Sequence, residues 1–318
     1  MPANSTFTEL VTTTLREHPN VVTDNVSDHN ALYRYMKEKG NIRKLDGGNS
    51  IVRPLDYAEN STYQRYAGMD ALNVQQSDVL SAAEYQWTQA AIHVVASGLE
   101  LRKNSGKNQI IDLARSKLKN ALRTAANNMS VDIYSDGALP NQMGGLGHLV
   151  TSDGTGTVGG IVAGTYTFWK NQFYECPTAP SKTTIKTHMN TLWLQCVRGA
   201  DKPDLLVSSN DFYNFYWESL QDLQRFNSTN KAAAGFDSLK YGPADIIFDS
   251  NSNFSTTAEV MYFLNTDYLE MVVHQDANWT EFSEKMPVNQ DAELIPLLFM
   301  GQMCCSNRSL QGKLIDAS

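Results

Sequence analysis

The stretch from Asn108 to Tyr134 limits most severely what this chain can become. Ile110, Ile111, Ala114, Leu118, Ala121, Leu122, Ala125, Met129 and Ile133 recur three or four residues apart, which places them on one stripe of a 3.6-period helix. No Gly or Pro interrupts from Lys107 to Asp136, and Gly137 and Pro140 end the run. At 1.5 Å per residue the spacing predicts a rod roughly 40 Å long. The stripe needs apolar partners along that whole length, so the rest of the fold is arranged about it. Arg115, Lys117, Lys119 and Arg123 lie between the apolar positions, with only Asp112 against them. A solvated helix face accounts for these charges; a surface facing an acidic partner is the sharper alternative.

The chain has 318 residues, ample for a core. Only 19% are charged, below the usual quarter of a soluble chain, and Asn, Ser, Thr and Gln make up the difference. A polar, sparsely charged surface suits burial against neighbours. The net charge of −8 argues against a dedicated nucleic-acid binder, because affinity for phosphate needs clustered Lys and Arg. No apolar window is long enough to span a membrane. Met1 to Phe7 lacks the charged-then-apolar pattern of a signal peptide, so the chain is expected to stay in the cytoplasm where it is made. Cys176, Cys196, Cys304 and Cys305 form no C-x-x-C pair, and are expected to be buried, reduced thiols rather than a metal or redox site.

Residues 1 to 45 read as two short helices. Thr6 with Glu9 forms a capping box ahead of Leu10, Val11 and Leu15; Asp28 can cap a second helix through Leu32, Tyr35 and Met36, closed by Gly40. Neither is apolar enough to stand alone, so each needs a host surface in its own domain or on another subunit. Residues 46 to 80 are thin in apolar residues, with Gly47, Gly48, Pro54 and Gly68 among polar residues and tyrosines. They predict a long two-stranded loop that begins with a strand over Ile51 to Tyr57. Residues 81 to 101 predict a strand leading into the rod, with Ala-rich Ser81 to Ser97 helical in part as the alternative. Helices are expected over Thr183 to Arg198 and Asp211 to Phe226. Strands are expected at Asp204 to Ser208, Asp245 to Phe248, Val260 to Leu264, Tyr268 to His274, Ala292 to Cys305 and Leu310 to Ile315. Strands and helices mix without a regular βαβ alternation, which makes the class α+β.

Little in the chain suggests catalysis. Gly154-Thr155-Gly156-Thr157-Val158-Gly159 matches G-x-G-x-x-G, and a soluble nucleotide-binding enzyme using the Gly154 to Gly159 loop is the alternative this motif raises. A dinucleotide site needs a helix opening at the last glycine to hold the pyrophosphate. Here Gly160, Ile161, Val162, Ala163 and Gly164 follow, which is poor helix material, and a flexible loop is expected. The histidines are scattered: His93 reads as a satisfied core histidine and His274 with Asp276 as a surface pair. No cofactor, metal ligand set or catalytic residue is assigned.

Three groups of residues carry a resemblance. The first is Gly144 to Val150, Gly156 to Ile161 and Tyr166-Thr167-Phe168-Trp169-Lys170-Asn171. The second is Arg198 to Val207, followed by Gln224-Arg225-Phe226 and Gly235-Phe236. The third is Met261 to Tyr268, Asn289-Gln290-Asp291-Ala292, Ser306-Asn307-Arg308 and Leu310-Gln311-Gly312. In this order, from about residue 46 to the C-terminus, they resemble tailed-bacteriophage major capsid proteins. The resemblance implies the Hong Kong 97-type capsid fold: an N-terminal arm over 1–45 and an extended loop over 46–80. A peripheral domain over 81–139 would hold the spine helix 108–134. An axial domain over 140–270 would follow, and 271–318 would return as peripheral strands.

It further implies self-assembly as hexamers and pentamers into a virion shell, built in the bacterial host cytoplasm around double-stranded DNA. Partners would be a separate scaffolding protein, since the arm is short, together with a portal and decoration proteins. Inter-subunit contacts would fall to Arg53, Tyr57, Tyr63, Arg65 and Tyr66 of the loop. The shell would confine DNA without gripping it, with Arg115, Lys119 and Arg123 as the local basic candidates.

Some members of that family weld subunits by an isopeptide bond between a loop Lys and an Asn of a neighbour. Such a reaction needs a neutral amine as nucleophile. Between Leu45 and Arg102 this chain has no Lys, and Arg53 and Arg65 stay charged. Particles boiled in SDS with reductant should therefore give one band near 35.4 kDa. A surviving ladder of dimers, pentamers and hexamers would refute the non-covalent shell.

Overall fold

The expected rod forms as α2 (Lys107–Tyr134). The structure, a computed structural model, describes residues 30–99, 107–221, 239–249, 259–281 and 291–316. The first arm helix with its Thr6–Glu9 box, residues 222–238 with Phe226, and Asn289-Gln290 lie outside them. Along α2, Leu118, Ala121, Leu122, Ala125, Ala126, Met129 and Ile133 are buried, while Lys119, Asn120, Arg123, Thr124 and Asn127 are exposed. The 3.6-period stripe thus sets which face meets the core.

The second arm helix is α1 (Ala31–Lys39). Its N-cap is Asn30 rather than Asp28: the Asn30 side chain accepts the Tyr33 N–H at 2.8 Å. Gly40 closes it in the left-handed conformation at φ 78°, as its place after the last apolar residue predicts. Leu32, Tyr33 and Met36 are buried in the same core as α2. The host surface is therefore this chain's own body.

Strands β1 (Ile42–Leu45), β4 (Thr88–Ser97), β12 (Leu269–Glu281) and β13 (Ala292–Cys305) make a four-stranded sheet in the order β1-β12-β13-β4. α2 packs against β4. Val94 and Ala96 of β4 point inward while His93 and Val95 point out. His93 is thus an exposed residue, not a core histidine, because the period-2 alternation of the strand decides its side. The region 81–101 is two strands rather than one. β3 (Leu80–Tyr85) comes first and pairs antiparallel with β2 (Ile51–Asp56), with Ile51 opposite Tyr85. Ile51, Leu55, Ala83 and Tyr85 face the core, and the loop 57–79 joins the two strands.

The second sheet has six strands in the order β7-β14-β11-β8-β10-β9. They are β7 (Gln172–Glu175), β8 (Leu205–Ser208), β9 (Leu239–Tyr241), β10 (Ala244–Phe248), β11 (Glu259–Leu264) and β14 (Gly312–Asp316). Leu205, Val207, Val260, Tyr262, Leu264 and Ile315 join the core that holds α2. Their neighbours Leu206, Met261, Phe263 and Leu314 join a second core, under α4 (Ile185–Cys196) and α5 (Asn210–Gln221), which follow the one-turn α3 (Leu146–Leu149) in the chain. Burial on both faces explains why β8 and β11 read as continuous apolar runs.

The segment 271–318, expected to return beside the rod, divides. β13 does so, but β14 crosses into the six-stranded sheet between β11 and β7. Gly312 permits that crossing: a Cβ there would lie 2.5 Å from Cys196 Sγ of α4. All four cysteines are free and buried, and burial pushes the Cys196 thiol up to about 12, which suppresses thiolate chemistry.

A cluster of carboxyls at the edge of β11 generates a pH prediction. Glu259 stands opposite Asp316 of β14. Burial, a hydrogen bond with Asp211 of α5 and the nearby acids raise its pKa to about 7. Between its ordinary value of 4.5 and 7, the unfolded chain ionises here while the folded chain keeps its proton. Stability present below the lower value is therefore lost as pH rises through the upper one. Urea titrations of unassembled protein across this window should show a fall that Glu259→Gln reduces. An unchanged pH dependence in the variant would contradict the shift.

Candidate assembly surface

The stretches that carry the family resemblance are far apart in sequence and meet in space. Arg308 is 0% exposed. Its Nε donates to Leu149 O at 2.7 Å and its NH1 to Trp169 O at 3.2 Å. Its NH2 reaches Asn171 Oδ1 at 2.8 Å, Thr155 O at 3.3 Å and Thr151 Oγ1 at 3.4 Å. The guanidinium is thus held mainly by carbonyl oxygens rather than by a carboxylate. Gln311 exchanges hydrogen bonds with the backbone of Asn265: it accepts from the N–H at 2.9 Å and donates to the carbonyl at 3.1 Å. Asp204, ahead of β8, accepts from the backbone and hydroxyl of Thr266, both at 2.7 Å, and pairs with Lys39 of α1. Tyr35 donates to the same carboxylate at 3.4 Å. These contacts bind the last strands, the six-stranded sheet and α1 into one frame.

The glycines from Gly154 to Gly160 belong to this frame and not to a nucleotide site. They lead into a two-residue-per-strand hairpin, β5 (Thr157–Val158) with β6 (Ile161–Val162). No helix opens at Gly159, so no helix N-terminus is offered to a pyrophosphate. Gly159 instead lets the hairpin turn lie on β3. Its φ is +58°, its carbonyl accepts the Glu84 N–H at 2.9 Å, and a Cβ there would lie 2.7 Å from Ala83 Cβ. Among the described residues no group of His, Cys, Asp and Glu could hold a metal ion.

The loop 57–79 projects from this frame. Its base is anchored: Tyr57 stacks on Phe168 with ring centroids 5.1 Å apart, and Tyr57 N donates to Val79 O at 3.1 Å. Arg53 of β2 pairs with Glu270 of β12. Arg53 and Tyr57, both placed at the subunit contact by sequence reasoning, thus have partners in their own chain. Tyr63, Arg65 and Tyr66 are exposed, Tyr63 at 81%. Met69, Leu72, Val74 and Leu80 are exposed beside them in sequence, Val74 at 91%. Sequence reasoning missed these four, because their spacing follows neither a helical nor a strand period. Across 59–78, hydrogen bonds among the described residues join loop residues to one another, as where Gln64 bridges Ala71 and Asn73.

Of the basic candidates on α2, Lys119 and Arg123 lie on the exposed face; the Arg115 side chain falls outside the described residues. His274 accepts the backbone N–H of Asp276 at 3.1 Å, a local contact within β12.

Removing the Arg308 guanidinium would strand the Leu149 and Trp169 carbonyls, whereas Asn171 Oδ1 and Thr155 O keep Thr151 as a donor. At about 1–3 kcal/mol for each unsatisfied buried group, Arg308→Ala should cost about 2–5 kcal/mol. Arg308→Lys should recover only part of this, since an ammonium cannot fork to Leu149, Trp169 and Asn171 together. Urea denaturation measures both; a loss in Arg308→Ala below about 1 kcal/mol, the worth of one ordinary hydrogen bond, would remove the frame's proposed pin.

No family model and no curated protein matches the chain. Solved structures do. The capsid of the cyanophage A-1(L) superposes with a TM-score of 0.59 at 12% identity, over 86% of this chain and 89% of that one. The capsid of an empty GTA particle gives 0.61 at 10% identity, over 89% and 90%. A virus-like particle from Pyrococcus furiosus gives 0.51 at 9% identity, over 93% and 96%. The chain has the Hong Kong 97-type fold of phage capsid proteins.

Proposed function

We propose that the chain is the major capsid protein of a tailed bacteriophage. It assembles as hexamers and pentamers into an icosahedral shell around double-stranded DNA, in the cytoplasm of the host. The observation that carries this reading is the loop. In a fold shared over nearly the whole chain with shell proteins, Tyr63, Tyr66, Met69, Leu72 and Val74 stand exposed on a projecting hairpin. Burying a large apolar side chain is worth about 1.5–3 kcal/mol, and a neighbouring subunit supplies the missing surface.

In this reading the loop over 46–80 reaches across the subunit boundary through Tyr63, Arg65 and Tyr66. Tyr57 and Arg53 set its angle from within. α2 is the spine of the peripheral domain 81–139, and the six-stranded sheet forms the axial domain within 140–270. That sheet takes its last strand from 271–318. The arm is assigned to 1–45, with its final part, α1 and β1, built into the body. A scaffolding protein, a portal and decoration proteins are the further partners of such a shell. The nucleotide-binding alternative has no observation in its favour.

Electron microscopy of the expressed protein tests the reading: shells or ring-shaped capsomers are expected, and a small soluble oligomer would overturn it. Limited proteolysis adds a residue-level check. Unassembled protein should be cut within 57–80 early, and assembly should protect those bonds. Equal cleavage before and after assembly would contradict the loop's role.

A further inference from the structure

The exposed face of α2 carries a feature that the loop contacts proposed above do not involve. Among the described residues, Ser116, Lys119, Asn120, Arg123, Thr124 and Asn127 line a hollow of about 510 Å³ along the helix. These positions follow one another at helical spacing, so they form one continuous face. All are polar and none is acidic, on a chain whose net charge is −8. A second hollow beside it, where Ser116, Lys117, Asn120 and Thr124 meet His93 and the apolar Ile92, Val94, Val95 and Ala121, extends the surface to β4. Among the described residues neither Lys119 nor Arg123 has an ion-pair partner.

We propose that this face of α2 is a contact surface for the phosphate backbone of the enclosed duplex DNA, with Lys119 and Arg123 as the cations that meet phosphate. The inference rests on the capsid reading, which supplies the DNA, and it turns this face of α2 to the shell interior. The two cations are four residues apart, about 6 Å along the helix axis, close enough to hold neighbouring phosphates of one strand. Asn120, Asn127 and Ser116 add neutral donors of the kind that position a backbone without reading sequence. The Thr124 hydroxyl is already committed to Asn120 O at 2.9 Å. Two phosphates per subunit make each contact weak and independent of sequence. Repetition across a shell makes the sum appreciable, yet each contact releases easily when the genome leaves.

The test uses the full chain before assembly and a fluorescent duplex of about 20 base pairs, with anisotropy read from about 20 to 150 mM salt. Neutralising two phosphates gives a log–log slope of about −1.8, so affinity should fall by roughly 40-fold or more over that range. The double variant Lys119→Gln, Arg123→Gln should flatten the slope by about that amount; Gln keeps helix propensity at these exposed positions. Lys202→Gln, in the exposed turn ahead of β8, should leave it unchanged. The proposal is overturned if wild type does not bind the duplex at the lowest salt, or if Lys202→Gln matches the double variant. Poly-glutamate binding as tight as DNA would also overturn it, by assigning the face to an acidic protein partner. Shells seen by electron microscopy of the same preparations keep the two readings apart. Shells without the DNA effect sink only this inference, whereas absence of shells sinks the capsid reading as well.

Discussion

A guanidinium with no exposure to water has to find acceptors for its donors inside the fold, and Arg308 finds them on two separate segments, 149–155 and 169–171. The cost of burying a cation makes this arrangement nearly all-or-none. With Leu149, Trp169 and Asn171 in place, the charge is solvated by oriented carbonyl dipoles. With any of them displaced, a fully buried cation loses part of that solvation. The turn before β14 is therefore fixed relative to the loops around β5, β6 and β7. β14 enters the six-stranded sheet only where Gly312 allows α4 to cross it. Gly145 is constrained in the same way on the other side: a Cβ there would lie 2.3 Å from the Asp132 carbonyl at the end of α2. The position of the rod and that of the second sheet are thus set by the same few contacts.

That frame explains what the sequence made legible. α2 from Leu118 on, and α4, α5, β8, β10, β11 and β13, are buried along a stripe or on both faces, so their periodicity is strong and their positions are readable to within a few residues. β14 was readable as a strand but not as a member of the six-stranded sheet, because its place depends on Arg308 and Gly312 meeting residues far away in sequence. His93 was misread since a strand of small and branched residues looks apolar on both sides, although β4 buries only one. The split of 81–101 into β3 and β4 was hidden for a similar reason: Tyr85 and Trp87 straddle a turn without Gly or Pro.

The loop proposed as the assembly surface was legible in part. Aromatic residues in a polar, Gly- and Pro-punctuated stretch point to it, and Tyr63, Arg65 and Tyr66 are exposed there. Arg53 and Tyr57 were not separable from them by composition, because what distinguishes them is a partner in a distant element: Glu270 for one and Phe168 for the other. The G-x-G-x-x-G match was misleading by spacing alone. Its glycines answer a packing demand, the close approach of a hairpin turn to β3, which needs the same residue that a phosphate cradle needs.

The charges and the apolar residues divide the work of such a protein. Two of its charged contacts are turned inward, Arg308 fully buried and Arg53 with Glu270 half-buried, where the interaction is directional. The projecting loop offers the opposite: tyrosines, Met69, Leu72 and Val74, with Arg65 among them. On the capsid reading, one sequence must seat the same loop at five-fold and six-fold positions, where neighbouring subunits meet at different angles. A buried ion pair would match one of those angles and be strained at the other. Apolar burial is non-directional and roughly proportional to area, and a methionine adapts its shape to the gap it fills. A rigid, polar-pinned body carrying an apolar, geometrically tolerant loop therefore satisfies both environments without a second conformation of the core.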